Sequence, residues 1–154
     1  MNRPIYETRE NLQKEKAVAQ KLTGWFNHEA DYNTYPDELY EVIKTPPRAP
    51  YDYCILKEGL ISGIVEIKVR TNPHNQYSTY MISLEKVSQS TSHANIIGCP
   101  FYIVVQWADR LGRWKFSREQ YTAGMGGRSD RGDPLDREPI IYIPIEHFDY
   151  LRER

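Results

Sequence analysis

The chain has 154 residues, which suits one domain with its own hydrophobic core. Lys and Arg number 20 against 21 Asp and Glu, a formal net charge of -1. Whole-chain charge therefore gives no argument for a nucleic-acid partner, and none against one, because a carboxylate site beside basic flanks can cancel to neutrality. The N-terminus is polar, without a signal peptide, and no apolar run approaches a membrane span. A cytoplasmic protein with no membrane partner is the expectation. Cys54 and Cys99 lie in or beside apolar runs and read as reduced thiols rather than a disulfide or zinc site. The 12 tyrosines suit base stacking, but half-buried sheet edges are the commoner use.

Residues 9–27 have a helical pattern, with Leu12, Val18, Ala19, Leu22, Trp25 and Phe26 on one stripe. At about 100° per residue, Glu15 falls near the middle of that stripe and Glu10 roughly opposite. A carboxylate on the apolar face must be paired, ligated or at the core's edge. A turn-rich link at 32–36 leads to a short strand at 39–43, then to a Pro-rich extended connection at 45–50.

Residues 50–70 predict two strands joined at Glu58-Gly59. In the second strand Ile61, Gly63, Val65, Ile67 and Val69 form a buried face. Leu60, Ser62 and Ile64 point the other way, and that side then turns to Glu66, Lys68 and Arg70. A polar loop at 71–80 follows. Ser83 is a candidate N-cap for a helix over 84–95, with Leu84, Val87, Thr91 and Ala94 inward and Ser83, Lys86, Ser90 and His93 on its flank. Gly98 and Pro100 end it. Residues 101–107 predict a central strand, and 113–117 a returning one after the turn at 109–112. A Gly- and charge-rich loop spans 124–136. The chain closes with a strand at 140–145 and a short helix at 146–152. The sum is an α/β arrangement with a mixed sheet and a helix on each face.

Asp52, Glu66 and Lys68 carry the chemistry. Two carboxylates on neighbouring strands can share a hard divalent cation such as magnesium. Lys68 leaves the same face of its strand as Glu66 and can help orient water or balance charge on a phosphate. The backbone carbonyl of Ile67 is a candidate third ligand, and Glu15 a fourth, direct or through water.

Asp52 followed by Glu66-Ile67-Lys68, with the helix-strand-strand-strand-helix-strand order over about 9–107, resembles the PD-(D/E)XK nuclease superfamily. Pro50-Tyr51-Asp52 departs from that family's Pro-Asp pair by one inserted residue. Glu15 and Leu22 stand as in members similar to junction resolvases and RecB-like nucleases. The resemblance implies a restriction-endonuclease-like core, a central mixed sheet flanked by helices, in one domain spanning 1–154. Residues 108–154 would form an accessory C-terminal hairpin and tail, similar to small phage or bacterial members. It also implies hydrolysis of DNA phosphodiesters with magnesium, or manganese in its place, and a homodimer. Lys86 sits where members place a residue facing the substrate phosphate.

Each feature also has a plainer reading. Asp52 could cap a strand or pair with Arg48. Glu66, Lys68 and Arg70 could be a solvated strand end. Arg70 could instead hold a phosphate bidentately. Arg113 and Lys115, with Arg110, Arg118, Trp107 and Trp114, could hold a nucleic-acid backbone or merely guard an edge strand. His28, His74 and His147 lack metal-ligand spacing. The rival to a nuclease is an inactive nucleic-acid- or protein-binding module on the same fold.

Overall fold

A computed structural model describes residues 8–29, 39–49, 51–127 and 137–152. The expected link at 32–36, Pro50 and the 128–136 part of the Gly-rich loop lie outside the described residues. Helix α1 (Arg9–Glu29) buries Val18, Ala19, Leu22 and Trp25 along the stripe the periodicity marks. Three strands follow: β1 (Tyr40–Lys44), β2 (Tyr53–Lys57) and β3 (Leu60–Val69). The turn between β2 and β3 places Glu58 at φ 54 and Gly59 at φ 75. Two consecutive positive φ values make the two-residue turn whose twist matches paired strands, and glycine carries the second at little cost.

After β3 come β4 (Thr79–Ser83), α2 (Leu84–Ile97), β5 (Phe101–Gln106), β6 (Leu111–Lys115), β7 (Thr122–Gly127) and β8 (Arg137–Pro144). A single 3-10 turn (Ile145–His147) and β9 (Asp149–Tyr150) end the described chain. The central sheet has the order β1-β2-β3-β5-β6-β9, and β4-β8-β7 form a second sheet. In the central sheet β3 and β5 are parallel, with Ile64 opposite Phe101 and Val69 opposite Gln106. The other pairs are antiparallel.

Alternation along the central strands sends side chains into two clusters. Tyr53, Ile55, Val65, Ile67 and Val104 pack under α1. Cys54, Ile64, Phe101, Ile103 and Val105 pack with Val87 and Ala94 of α2 and with Tyr80, Ile82, Ile141 and Ile143 of the second sheet. The second face is therefore covered by a helix and a sheet together, not by a helix alone. Residues beyond 107 are no loose appendage, since Trp114, Ile141, Ile143 and Phe148 belong to that same cluster.

Several local expectations are corrected. Residues 79–80, expected as the end of the polar loop, belong to strand β4, because Tyr80 and Ile82 pair with Ile143 and Ile141. Part of the Gly-rich segment is strand β7. The expected terminal helix is one turn followed by β9, which pairs with Gly112 and Arg113. Ser83 does precede α2, but its hydroxyl makes no cap bond. It donates instead to Glu138 Oε2 at 3.1 Å. Ser90, expected on a polar flank, is fully buried. Trp107 and Trp114 are core residues, 4% and 1% exposed.

Candidate active site

The even-numbered side chains of β3 leave on the α2 face. Ile64 is packed in the core there, and the next residue on that side, Glu66, is also buried, at 1% exposure. Burying a carboxylate costs several kcal/mol, roughly, unless charges and hydrogen bonds compensate it. Here two ammonium groups face it. Lys68 Nζ is 3.2 Å from Oε1, and Lys86 Nζ, from the first turns of α2, is 3.3 Å from Oε2. The contacts are ion pairs by distance, yet neither Glu66 oxygen receives a hydrogen bond of ordinary geometry. Asp52 joins the group just before β2, and its Oδ2 accepts from the Ile67 amide at 3.4 Å.

The backbone explains why Ile67 is available. The amides of Ile64 and Arg70 bond to Pro100 and Gln106, so even-numbered residues of β3 direct their peptide groups toward β5. Odd-numbered residues face β2. Ile67 lies beyond the pairing of Val65 with Tyr53, where β2 has not yet begun. Its carbonyl thus leaves on the edge where Asp52 stands.

Electrostatics follow from this crowding. Burial pushes the Glu66 carboxyl up to about 7, Asp52 adds to the rise, and Lys68 and Lys86 oppose it. Burial pulls the Lys68 ammonium down, but Glu66 and Asp52 outweigh it and hold the group above its ordinary range. Lys68 is therefore a charged donor rather than a base. Burial also raises the Tyr80 phenol, against the nearby Arg70 and Lys68.

The cluster opens into a cleft of about 660 Å³ lined by Arg48, Asp52, Glu66, Lys68, Arg70, Tyr80, Lys86 and Glu138, among others. So Asp52, Glu66, Lys68, Lys86 and Arg70 are brought together. Tyr80 and Glu138 were not among the residues the sequence pointed to. The Arg48 position beside Asp52 was legible only as a possible pair, and Glu138 arrives through the second sheet, where Ser83 lies opposite Ile140.

Three expected residues stand elsewhere. Glu15 is half-buried on α1, on the other layer, and does not line the cleft. It lies at the same end of the sheet. Phe26 meets Tyr102 at the start of β5 and Lys21 reaches Gln106 at its end, so earlier turns of α1 continue toward the site end. Arg113 is held by Glu29 at 2.6 and 2.7 Å and stacks on Trp25 at 4.2 Å. It lines a separate hollow of about 1120 Å³ between α1 and β9. That hollow is larger than the cleft, but among the described residues the buried carboxylate, Glu66, with its two lysine partners belongs to the cleft. Lys115 pairs with Tyr102, at the far end of β5 from the site.

Among the described residues no three His, Cys, Asp or Glu side chains gather closely enough to hold a metal by themselves. No described helix is long and apolar enough to cross a membrane. Cys54 and Cys99 are free thiols.

No curated protein matches the chain. Among solved structures, the Holliday junction resolvase Hjc of the archaeal hyperthermophile Archaeoglobus fulgidus aligns at 11% identity with a TM-score of 0.46, covering 67% of this chain and 75% of that one. Residues 1–151 match the family described as "Phage putative PDDEXK endonuclease". The order α1-β1-β2-β3-α2-β5, with β4 inserted before α2, is the restriction-endonuclease-like core that such membership requires. The chain belongs to this family of PD-(D/E)XK phage endonucleases.

Proposed function

We propose that the chain is a magnesium-dependent deoxyribonuclease whose site is the Asp52-Glu66-Lys68 cleft. The observation that carries this reading is Glu66, a buried carboxylate with both oxygens short of hydrogen bonds, flanked by two ammonium groups and Asp52. Stability alone does not favour such a group, since apolar residues commonly fill such volumes as well or better. Strongly perturbed groups in a cleft are characteristic of working sites.

The donor set fits magnesium. That ion takes few protein ligands, commonly one or two carboxylates, and keeps several waters. Asp52, Glu66 and the Ile67 carbonyl would hold it, with Glu15 contributing through water from the neighbouring layer. Manganese suits the same oxygen donors. When bound, the ion supplies Lewis acidity that activates a water and balances charge on the phosphate.

The chain's own groups do the rest. Lys68, fixed against Glu66, donates to the attacking water or to a phosphate oxygen and stabilises charge as it develops there. Lys86 and Arg70 line the same cleft and bind the phosphates on either side of the bond to be cut. Arg113 and Lys115 are not part of this surface.

The test is cleavage of labelled single-stranded, duplex, flapped and four-way DNA with magnesium or manganese, by wild type, Asp52→Ala and Lys68→Ala. Cleavage by wild type alone is expected. Equal activity in all three proteins would overturn the reading in favour of a contaminant or of a binding module.

A further inference from the structure

Beside the cleft lies a second cavity of about 250 Å³, walled by Arg70, His74, Tyr77, Tyr80, Met81 and Trp107 together with shorter residues. Arg70, Tyr80 and Met81 line both spaces, so the two are adjacent. We propose that this cavity receives one unstacked base of the DNA strand being cut, so that the substrate carries an unpaired nucleotide next to the cleaved phosphate. The inference rests on the nuclease reading above and specifies its substrate class.

The walls have the chemistry of a base pocket. The Tyr80 and Trp107 rings stand edge to face, with centroids 6.1 Å apart and planes at 87°, and as packed core residues they form the floor, which leaves half-buried His74 and exposed Tyr77 to offer ring faces to a base. The His74 ring meets Trp107 at 6.4 Å. His74 is fixed from behind. Its backbone amide donates to Asp109 Oδ1 at 2.8 Å, and Nδ1 lies 2.6 Å from Oδ2. Aromatic faces take any base by stacking, because every base has a π-face.

Tyr77 and Met81 at the rim are 64% and 55% exposed, so their side chains are accessible to an entering base. Arg70 sits on the shared wall, its guanidinium carbon 5.7 Å from the Tyr80 ring centre and Nη2 donating to the phenol at 3.4 Å. A cation at that junction suits the phosphate joining a base in the small cavity to the bond in the cleft. The volume lies below the ~300 Å³ lower bound of drug-sized sites, so it admits one ring system. A base inside a duplex has both faces covered and must leave the stack before it can enter.

The experiment uses three duplexes identical except at one position, which is paired, a bulged adenine, or a bulged abasic residue. Binding is measured with Lys68→Ala, which is expected to cleave about 1000-fold more slowly, its folding checked by far-UV dichroism. The bulged adenine is expected to bind about tenfold more tightly than the abasic bulge, within the range stacking on aromatic side chains supplies. Adding Tyr77→Ala, a rim substitution that leaves the core intact, is expected to bring the two within about twofold. With 2-aminopurine as the bulged base, binding should quench its emission, and Tyr77→Ala should weaken the quenching. Equal affinity for adenine and abasic bulges, or a preference that survives Tyr77→Ala combined with His74→Ala, overturns the assignment. Cleavage by wild type is scored in parallel. If cleavage proceeds while adenine and abasic bind alike, the base pocket fails alone. A base preference without cleavage of any substrate sinks the nuclease reading and leaves the pocket as a binding site.

Discussion

On one side of β3, Val65 and Ile67 meet Val18, Ala19, Leu22 and Trp25 of α1, and the contact is buried and apolar. On the other side of the same strand, Ile64 is followed by Glu66 and Lys68, facing Lys86 of α2. Strand alternation makes this division possible, because adjacent residues serve opposite faces. The α1 side gains free energy from burial, roughly 1.5–3 kcal/mol for a fully buried Leu-sized side chain. The α2 side forgoes that gain at Glu66 and holds charge in its place. A site built this way is rigid because its back is packed core, and such support is what positions charged groups for chemistry.

Substitutions should separate the two faces. The largest effect belongs to the charged side. Asp52→Ala and Lys68→Ala should each slow single-turnover cleavage about 1000-fold, as loss of one preorganised charge-stabilising group does, with far-UV dichroism unchanged. Next comes Leu22→Ala, which empties a fully buried position. It should cost about 2–5 kcal/mol in urea unfolding and leave the cleavage rate per folded molecule intact. If Leu22→Ala instead abolished cleavage at full folding, the faces would be coupled rather than divided.

Legibility in the sequence follows the same division. Contacts local in sequence were readable. The stripe of α1, the turn at Glu58-Gly59 and the phase of Glu66 and Lys68 on β3 all follow from periods of a few residues. Phase also separated half-buried Glu15 from Glu10, which is exposed and pairs with Lys14. What depended on distant pairing was not readable. Strand β4 exists because Ser83 finds Ile140 and Tyr80 finds Ile143, and its own run from Thr79 to Ser83 follows a polar loop and runs straight into α2, which hides it. Glu138 and Tyr80 in the cleft, and the covering of one face by a second sheet, all depend on that pairing. His74 looked idle because its partner, Asp109, is 35 residues away. Both faces of β3 are buried at Ile64–Ile67, so Glu66 lies deeper than the solvated strand end that was its plainer reading.

A third prediction concerns what the buried charge does to stability. The Glu66 carboxyl is raised from 4.5 to about 7 in the folded protein. The fold therefore favours the protonated form. In the metal-free protein this contribution is fully present below pH 4.5, is lost as pH rises through about 7, and is absent above it. Glu66→Gln, which cannot ionise, should be more stable than wild type by ~1–3 kcal/mol at pH 8 in EDTA, and the gain should vanish near pH 4.5. Magnesium at pH 8 should raise the wild-type Tm and leave Glu66→Gln unmoved, because a ligand stabilises only the state that binds it. A pH-independent difference between the two proteins would show that Glu66 is not the buried titrating group.

The smallest effects test whether α1 belongs wholly to the packing side. Glu10 and Glu15 are five residues apart on one helix, chemically identical and differently placed. Glu10 is exposed and pairs with Lys14 at 3.3 Å, so Glu10→Gln should leave cleavage unchanged within about twofold. Glu15 faces inward at the end of the sheet where Asp52 and Glu66 stand, one layer away. If it acts on the metal through water, Glu15→Gln should lower activity about tenfold, the lower end of what outer ligands supply. The loss should shrink at high magnesium, because weaker binding is restored by concentration whereas lost core packing is not. A tenfold loss that ignores magnesium would make Glu15 a structural residue of α1. In that event every charged group of the site would come from the α2 side of the sheet.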